Sequence, residues 1–147
     1  MDLANAIAVA AVVVALLALI WQAREASRQA RLLTFTSYTE RYQQIMLNLP
    51  SDIESESFDV GALDDGEREV TLRWLRAYYD LCSEEHHLWN LRWVDRRVWN
   101  LWSAGMRDSM RRPAFKFAWR QLQAFQYYPK EFGEFVGFVT TQRGRAS

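Results

Sequence analysis

Asp80, Glu84 and His87 are the residues best placed to do chemistry. Steps of four and three put them on one face of a helix. Two carboxylates and an imidazole could hold iron, manganese or zinc. Di-iron bundles build such sites from Glu-x-x-His on two helices and a Glu from each of two others. This chain has two histidines, His86 and His87, and they are adjacent, so a second such motif cannot exist within it. Closing a site would need Glu40 or Asp108, or a second copy of the chain. The ordinary reading takes Arg73, Arg76, Asp80, Glu84 and His87 as a solvated face of ion pairs, each worth a few tenths of a kcal/mol. The ligand count fails first, so no cofactor is expected.

Cys82 and His86 lie one turn apart and could form a thiolate pair or bind a metal. Both fall on an apolar face beside Trp89, which points to a buried, inert thiol next to a core histidine. A lone cysteine can form no internal disulfide and suits a reducing compartment. The chain has no Gly-rich phosphate loop, no Walker lysine, no Gly-x-Ser-x-Gly elbow and no Cys-x-x-Cys. Nothing in it names a reaction.

The elements that carry these residues are all helical. Leu32, Phe35, Tyr38, Tyr42, Ile45 and Leu49 recur at helical spacing until Pro50 stops the run. An acidic loop fills 51–66, docked by Phe58, Val60 and Leu63. A central helix is expected over Glu67–Asn90, with apolar rows Trp74, Tyr78, Leu81, Leu88 and Leu75, Tyr79, Cys82, Trp89. Asp95 caps a third helix, with Val94 and Trp99 at the staple positions. Val98, Trp102, Met106 and Met110 form its inner face, and Arg97, Arg107 and Arg111 its outer one. Pro113 opens a fourth helix over 113–126, with Phe117, Ala118, Leu122 and Phe125 inward. A short fifth helix after Pro129 carries Phe132, Phe135, Val136 and Val139, weakened by Gly133 and Gly137. Residues 142–147 read as a flexible tail.

Ahead of this domain, Leu3–Trp21 carries no charge and spans about 28 Å as a helix, close to the hydrocarbon thickness of a bilayer. Its ten Leu, Ile and Val residues sum to about −3 to −6 kcal/mol for insertion. A cleaved signal peptide would want a basic start, a shorter core and a small-x-small cleavage site, and these are missing. Trp21 stands where an interfacial aromatic belongs, followed by Arg24, Arg28 and Arg31. The positive-inside rule therefore puts the domain in the cytoplasm. The expected organisation is an anchor at 1–23 and a cytoplasmic domain at 24–141. This is an all-α fold in which the transmembrane helix continues into a four- to five-helix bundle. Ala4/Ala8, Ala6/Ala10 and Ala11/Ala15 are small-residue pairs that permit close helix contact.

Charge is segregated. Residues 51–95 hold twelve acids and four arginines, a balance of −8, while 96–147 hold ten basic residues and three acids, a balance of +7. The simplest account is that the two halves neutralise each other. A basic surface near anionic headgroups is the functional alternative. Nine aromatics between Pro113 and Val139, interleaved with Lys116, Arg120 and Lys130, suit either core packing or an amphipathic segment on the inner leaflet. The zero net charge and the acidic middle argue against nucleic acid.

The run Tyr78-Tyr79-Asp80-Leu81-Cys82-Ser83-Glu84-Glu85-His86-His87-Leu88 is followed by Val98-Trp99-Asn100-Leu101-Trp102-Ser103-Ala104-Gly105-Met106. A later spacing joins Pro113, Phe117, Trp119, Pro129, Glu131 and Phe132. With the N-terminal span, this pattern resembles an uncharacterised bacterial family of short membrane-anchored helical proteins, over roughly residues 3–139. The resemblance implies a bacterial inner-membrane protein with no established activity. It also implies aromatics at the positions of His86 and His87, which speaks against a metal role. The function expected is a membrane-anchored interaction or scaffold module that meets the lipid bilayer, an unidentified protein partner and further copies of itself. The alternatives are a metal-binding enzyme or sensor using Asp80, Glu84 and His87, and an oligomeric membrane effector in stress or defence.

Overall fold

A computed structural model describes residues 2–125 and 127–141. The tail expected at 142–147 and the end of the expected fourth helix at Gln126 lie outside the described residues. Among the described residues there are five α-helices and no strand: α1 Leu3–Leu47, α2 Asp65–Asn90, α3 Arg96–Ser109, α4 Pro113–Gln123 and α5 Lys130–Thr141. Contacts divide the chain into two compact units, Met1–Ser37 and Tyr38–Ser147.

In the first unit α1 contains a window of eighteen residues with mean hydropathy 2.8, none of it buried. It is long and apolar enough to cross a membrane. Ala and Leu favour the helix, and neither Gly nor Pro interrupts it. Polar side chains beyond the apolar stretch turn back on their own helix. Ser27 Oγ donates to the Ala23 carbonyl at 2.8 Å, and Thr34 and Thr36 do the same to Ala30 and Leu32. The helix ends where Pro50 disfavours helical backbone in the residue before it.

The second unit is arranged around α2, which packs against α3, α4, α5 and a 3-10 turn at Val60–Ala62. Asp64 caps α2 by accepting from the Glu67 N–H at 2.8 Å. Leu75, Tyr78, Tyr79 and Leu81 are buried along it. The acidic loop is held as expected: Val60 is buried, and Phe58 and Leu63 pack against the core. Ile53, which the sequence pattern did not single out, is buried with them. Arg68 fastens the loop by donating to the Val60, Gly61 and Leu63 carbonyls.

α3 begins as expected. The Asp95 carboxylate accepts from the Arg97 and Val98 N–H groups at 2.8 and 2.9 Å, and Val94 is buried. Its outer face needs correction. Arg111 is half-buried, and its Nε donates to the Val139 carbonyl at 3.3 Å, fastening α5. In α4 the inward face is Ala114, Phe115, Ala118 and Trp119. Phe117 and Leu122 are half-buried, and Phe125 is 68% exposed. The small residues Ala114 and Ala118 let α4 approach α2 closely and bring Phe115 against Tyr78. Of the expected face, Ala118 is buried and Phe117 and Leu122 pack against the core, while Phe125 faces out, so the buried face is shifted toward Ala114, Phe115 and Trp119. The two oppositely charged halves meet at Arg112–Glu56 (2.9 Å), Ser109–Glu54 (3.0 Å) and Tyr128–Asp80 (2.8 Å).

The turn between α2 and α3 is built on a non-glycine residue. The Trp93 N–H donates to the Leu88 carbonyl and the Arg92 N–H to the Trp89 carbonyl, the paired bonds of a Schellman ending. Arg92 takes the left-handed position with φ 60°, which glycine normally fills. A left-handed L-residue costs about 1–2 kcal/mol, and glycine returns part of that gain as unfolded-state entropy. Arg92→Gly is expected to stabilise the full chain by about 0.5–1 kcal/mol, seen as a higher thermal midpoint in detergent. A lower midpoint would show that the arginine side chain itself holds the turn.

Candidate functional site

The Asp80, Glu84 and His87 stripe is not gathered into one site. Asp80 accepts from the Tyr128 hydroxyl at 2.8 Å; burial, and after it this bond, raises the tyrosine's pKa. Glu84 takes both ends of the Arg41 guanidinium, at 2.6 and 3.1 Å, and accepts from the Tyr38 hydroxyl at 3.2 Å. The Arg41 hydrogen bonds hold its carboxyl below the usual range. His87 is exposed. Among the described residues no three His, Cys, Asp or Glu side chains are grouped to hold a metal ion.

The α1–α2 seam holds a group that the stripe conceals. Glu85, one residue past Glu84, is 6% exposed. Its burial pushes the carboxyl pKa up to about 8, and the neighbouring Glu84 charge adds to the rise. Arg41 opposes it, but Arg41 is hydrogen-bonded to Glu84. Around this carboxyl stand Tyr38 and Tyr42 of α1 and Cys82 of α2, each feeling its charge. At neutral pH the group is a protonated acid in an aromatic, thiol-lined seam. A signal for it was present in the sequence: Trp74, Tyr78, Leu81 and Leu88 leave a gap at the position Glu85 occupies, with steps of four and three on either side.

Cys82 is buried, and desolvation raises its thiol pKa well above the ordinary value, so it stays protonated and inert. His86 stands among aromatic rings, 5.8 Å from Trp99, 5.7 Å from Phe132 and 5.3 Å from Phe135 between centroids. Its Nδ1 meets the Asn90 amide at 3.3 Å, and burial lowers its pKa. Trp89 and Trp99 stack beside it at 5.4 Å with planes 6° apart. The core reading of Cys82 and His86 therefore matches their surroundings.

In the first unit, Trp21, Arg24, Arg28 and Arg31 are all exposed. Arg28 lies 3.9 Å from Glu25, and Arg31 Nε donates to the Ser27 carbonyl at 3.3 Å. No family model, curated protein or solved structure matches the chain.

Proposed function

We propose that the chain is a single-pass membrane protein whose helical domain is an interaction or scaffold module held at the bilayer. The observation that carries this reading is the α1 window of mean hydropathy 2.8 with none of its residues buried. A surface so apolar needs a lipid or protein cover. Trp21 and the arginines at 24, 28 and 31 suit the water interface on the cytoplasmic side. The resemblance noted above supports a bacterial inner membrane. Two members of the candidate stripe are already engaged, Asp80 by Tyr128 and Glu84 by Arg41, which supports binding over catalysis. Protein, lipid and further copies of the chain are the partners proposed, and nucleic acid is not among them.

Arginine at Val13 and Leu16 tests the anchor. Each arginine at a helix centre costs about 2.5–3.5 kcal/mol, enough in pairs to cancel the insertion energy. The double variant Val13→Arg/Leu16→Arg is expected to leave the alkali-resistant membrane fraction, while the unaltered chain stays in it. Equal extraction of both would sink the anchor. Crosslinking in native membranes then reports whether copies associate.

A further inference from the structure

The α2–α3 turn combines features that the core does not explain. Trp93 is 68% exposed, and Leu91 and Leu101 are exposed near it in sequence. In a Schellman ending the residue in the position of Trp93 commonly packs back on the helix; here it faces solvent. Arg92, Arg96 and Arg97 are exposed too, and none forms an ion pair among the described residues. Asp95, the acid between them, is turned to the α3 N-terminus as its cap. Arg92 also holds a left-handed backbone that glycine would adopt more cheaply.

The turn lies at the end of the domain where the chain joins it. Tyr42 meets Tyr78, and Tyr38 meets Glu84, so α2 runs antiparallel to this part of α1. Tyr38, the first residue of the unit, also contacts Trp102 of α3, with ring centroids 5.4 Å apart. The C-terminal end of α2 and the turn after it therefore lie at the same end of the second unit as its first residue, Tyr38.

We propose that the Leu91–Trp93 turn, with Arg96 and Arg97, is a second membrane contact that docks on anionic lipid headgroups. This rests on the anchoring proposed above. Tryptophan prefers the membrane–water interface, and unpaired arginines complement lipid phosphates and serine carboxylates. The anchor keeps the turn at high local lipid concentration, so weak contacts suffice. Each arginine that reaches the headgroups favours the docked state about five-fold.

The full chain can be tested in nanodiscs of phosphatidylcholine with or without phosphatidylserine. A nitroxide attached at Asn90→Cys reports depth through its accessibility to oxygen against a polar nickel reagent, and one at Ala11→Cys reports the anchor. Cys82 is buried and does not compete for the label. The expected result is a membrane-depth reading at 90 in phosphatidylserine discs. Arg96→Gln/Arg97→Gln should lower the docked-to-free ratio about 25-fold, and Trp93→Ser should lower it further. A water-exposed label at 90 with a deep label at 11 overturns the docking and leaves the anchor standing. A water-exposed label at 11 overturns both. Spin–spin broadening at 90 with a polar depth reading means a second copy covers the turn, and overturns the lipid assignment.

Discussion

Glu85→Gln is expected to stabilise the domain by about 2–3 kcal/mol at pH 7 and to flatten its stability between pH 5 and 8. The reason is proton linkage. In the folded chain the Glu85 carboxyl keeps its proton to about pH 8, whereas its ordinary value is 4.5. Between those values the unfolded chain binds fewer protons than the folded one. Stability contributed at this position is therefore complete below about pH 4.5, falls as pH rises, and levels off above about pH 8. At about 1.4 kcal/mol per unit, the loss by pH 7 is roughly 3 kcal/mol. Glutamine keeps an uncharged polar group of similar shape and removes the titration, at the cost of burying an amide among Tyr38, Tyr42 and Cys82. Chemical denaturation of the full chain in detergent at several pH values checks both halves. A stability difference between Glu85→Gln and wild type that does not grow between pH 5 and 8, a comparison in which the His86 contribution cancels, would show that Glu85 is ionised in the fold with a better partner than Arg41.

His86 works in the opposite direction. Its folded pKa is lowered by burial, so below its ordinary value of 6.5 the unfolded chain binds more protons. Stability from this position is present above about pH 6.5 and is lost as pH falls toward the folded value. Two adjacent residues on α2, one facing α1 and the other facing α5, thus narrow the stable range from opposite sides.

Much of this architecture was legible because helix signals are local. Asp95, Pro113 and Pro50 each mark a boundary through their own backbone chemistry, and the α3 and α4 starts and the α1 end fall beside them. What was less legible depends on partners distant in sequence. On α4 the expected face is right at Ala118 and half-right at Phe117 and Leu122, but Phe125 faces out and Phe115 and Trp119 face in, because the partners Tyr78 and Tyr79 that select them lie on α2. Arg111 looks solvent-facing until the Val139 carbonyl is brought to it. The acidic stripe at Asp80, Glu84 and His87 drew notice because its residue types suit a metal, but Arg41 and Tyr128 arrive from elsewhere to occupy two of its members. Glu85 was hidden for the converse reason. A carboxylate in an apolar row looks like a break in the pattern, and only the tertiary packing that leaves it 6% exposed makes it a buried acid.

Phe132→Ala is expected to cost about 3–5 kcal/mol, the usual range for emptying a buried phenylalanine site. That is a large part of the stability of a domain this size. Phe132 is fully buried and touches Trp119 edge-on at 5.8 Å, Tyr128 at 5.6 Å, His86 at 5.7 Å and Phe135 at 6.2 Å between centroids. The helix that carries it has little strength of its own. α5 is twelve residues long and contains Gly133 and Gly137, each costing about 1 kcal/mol against alanine. A helix this short is marginal alone, so Phe132, Val136 and Val139 must hold it by burial. Losing the phenylalanine should loosen α5 before the rest of the domain, because α2, α3 and α4 keep Tyr78, Met110 and Phe115 between them. Hydrogen exchange is expected to accelerate across 130–141 while the amides of 75–82 stay protected. His86 supplies an independent reading. With its aromatic cover removed, the imidazole regains solvent, and its titration, followed by proton NMR, should move up toward the ordinary 6.5. An unchanged His86 titration together with uniform loss of protection would mean that α5 and the α2 core unfold as one cooperative unit, and the domain would then have no separable C-terminal layer.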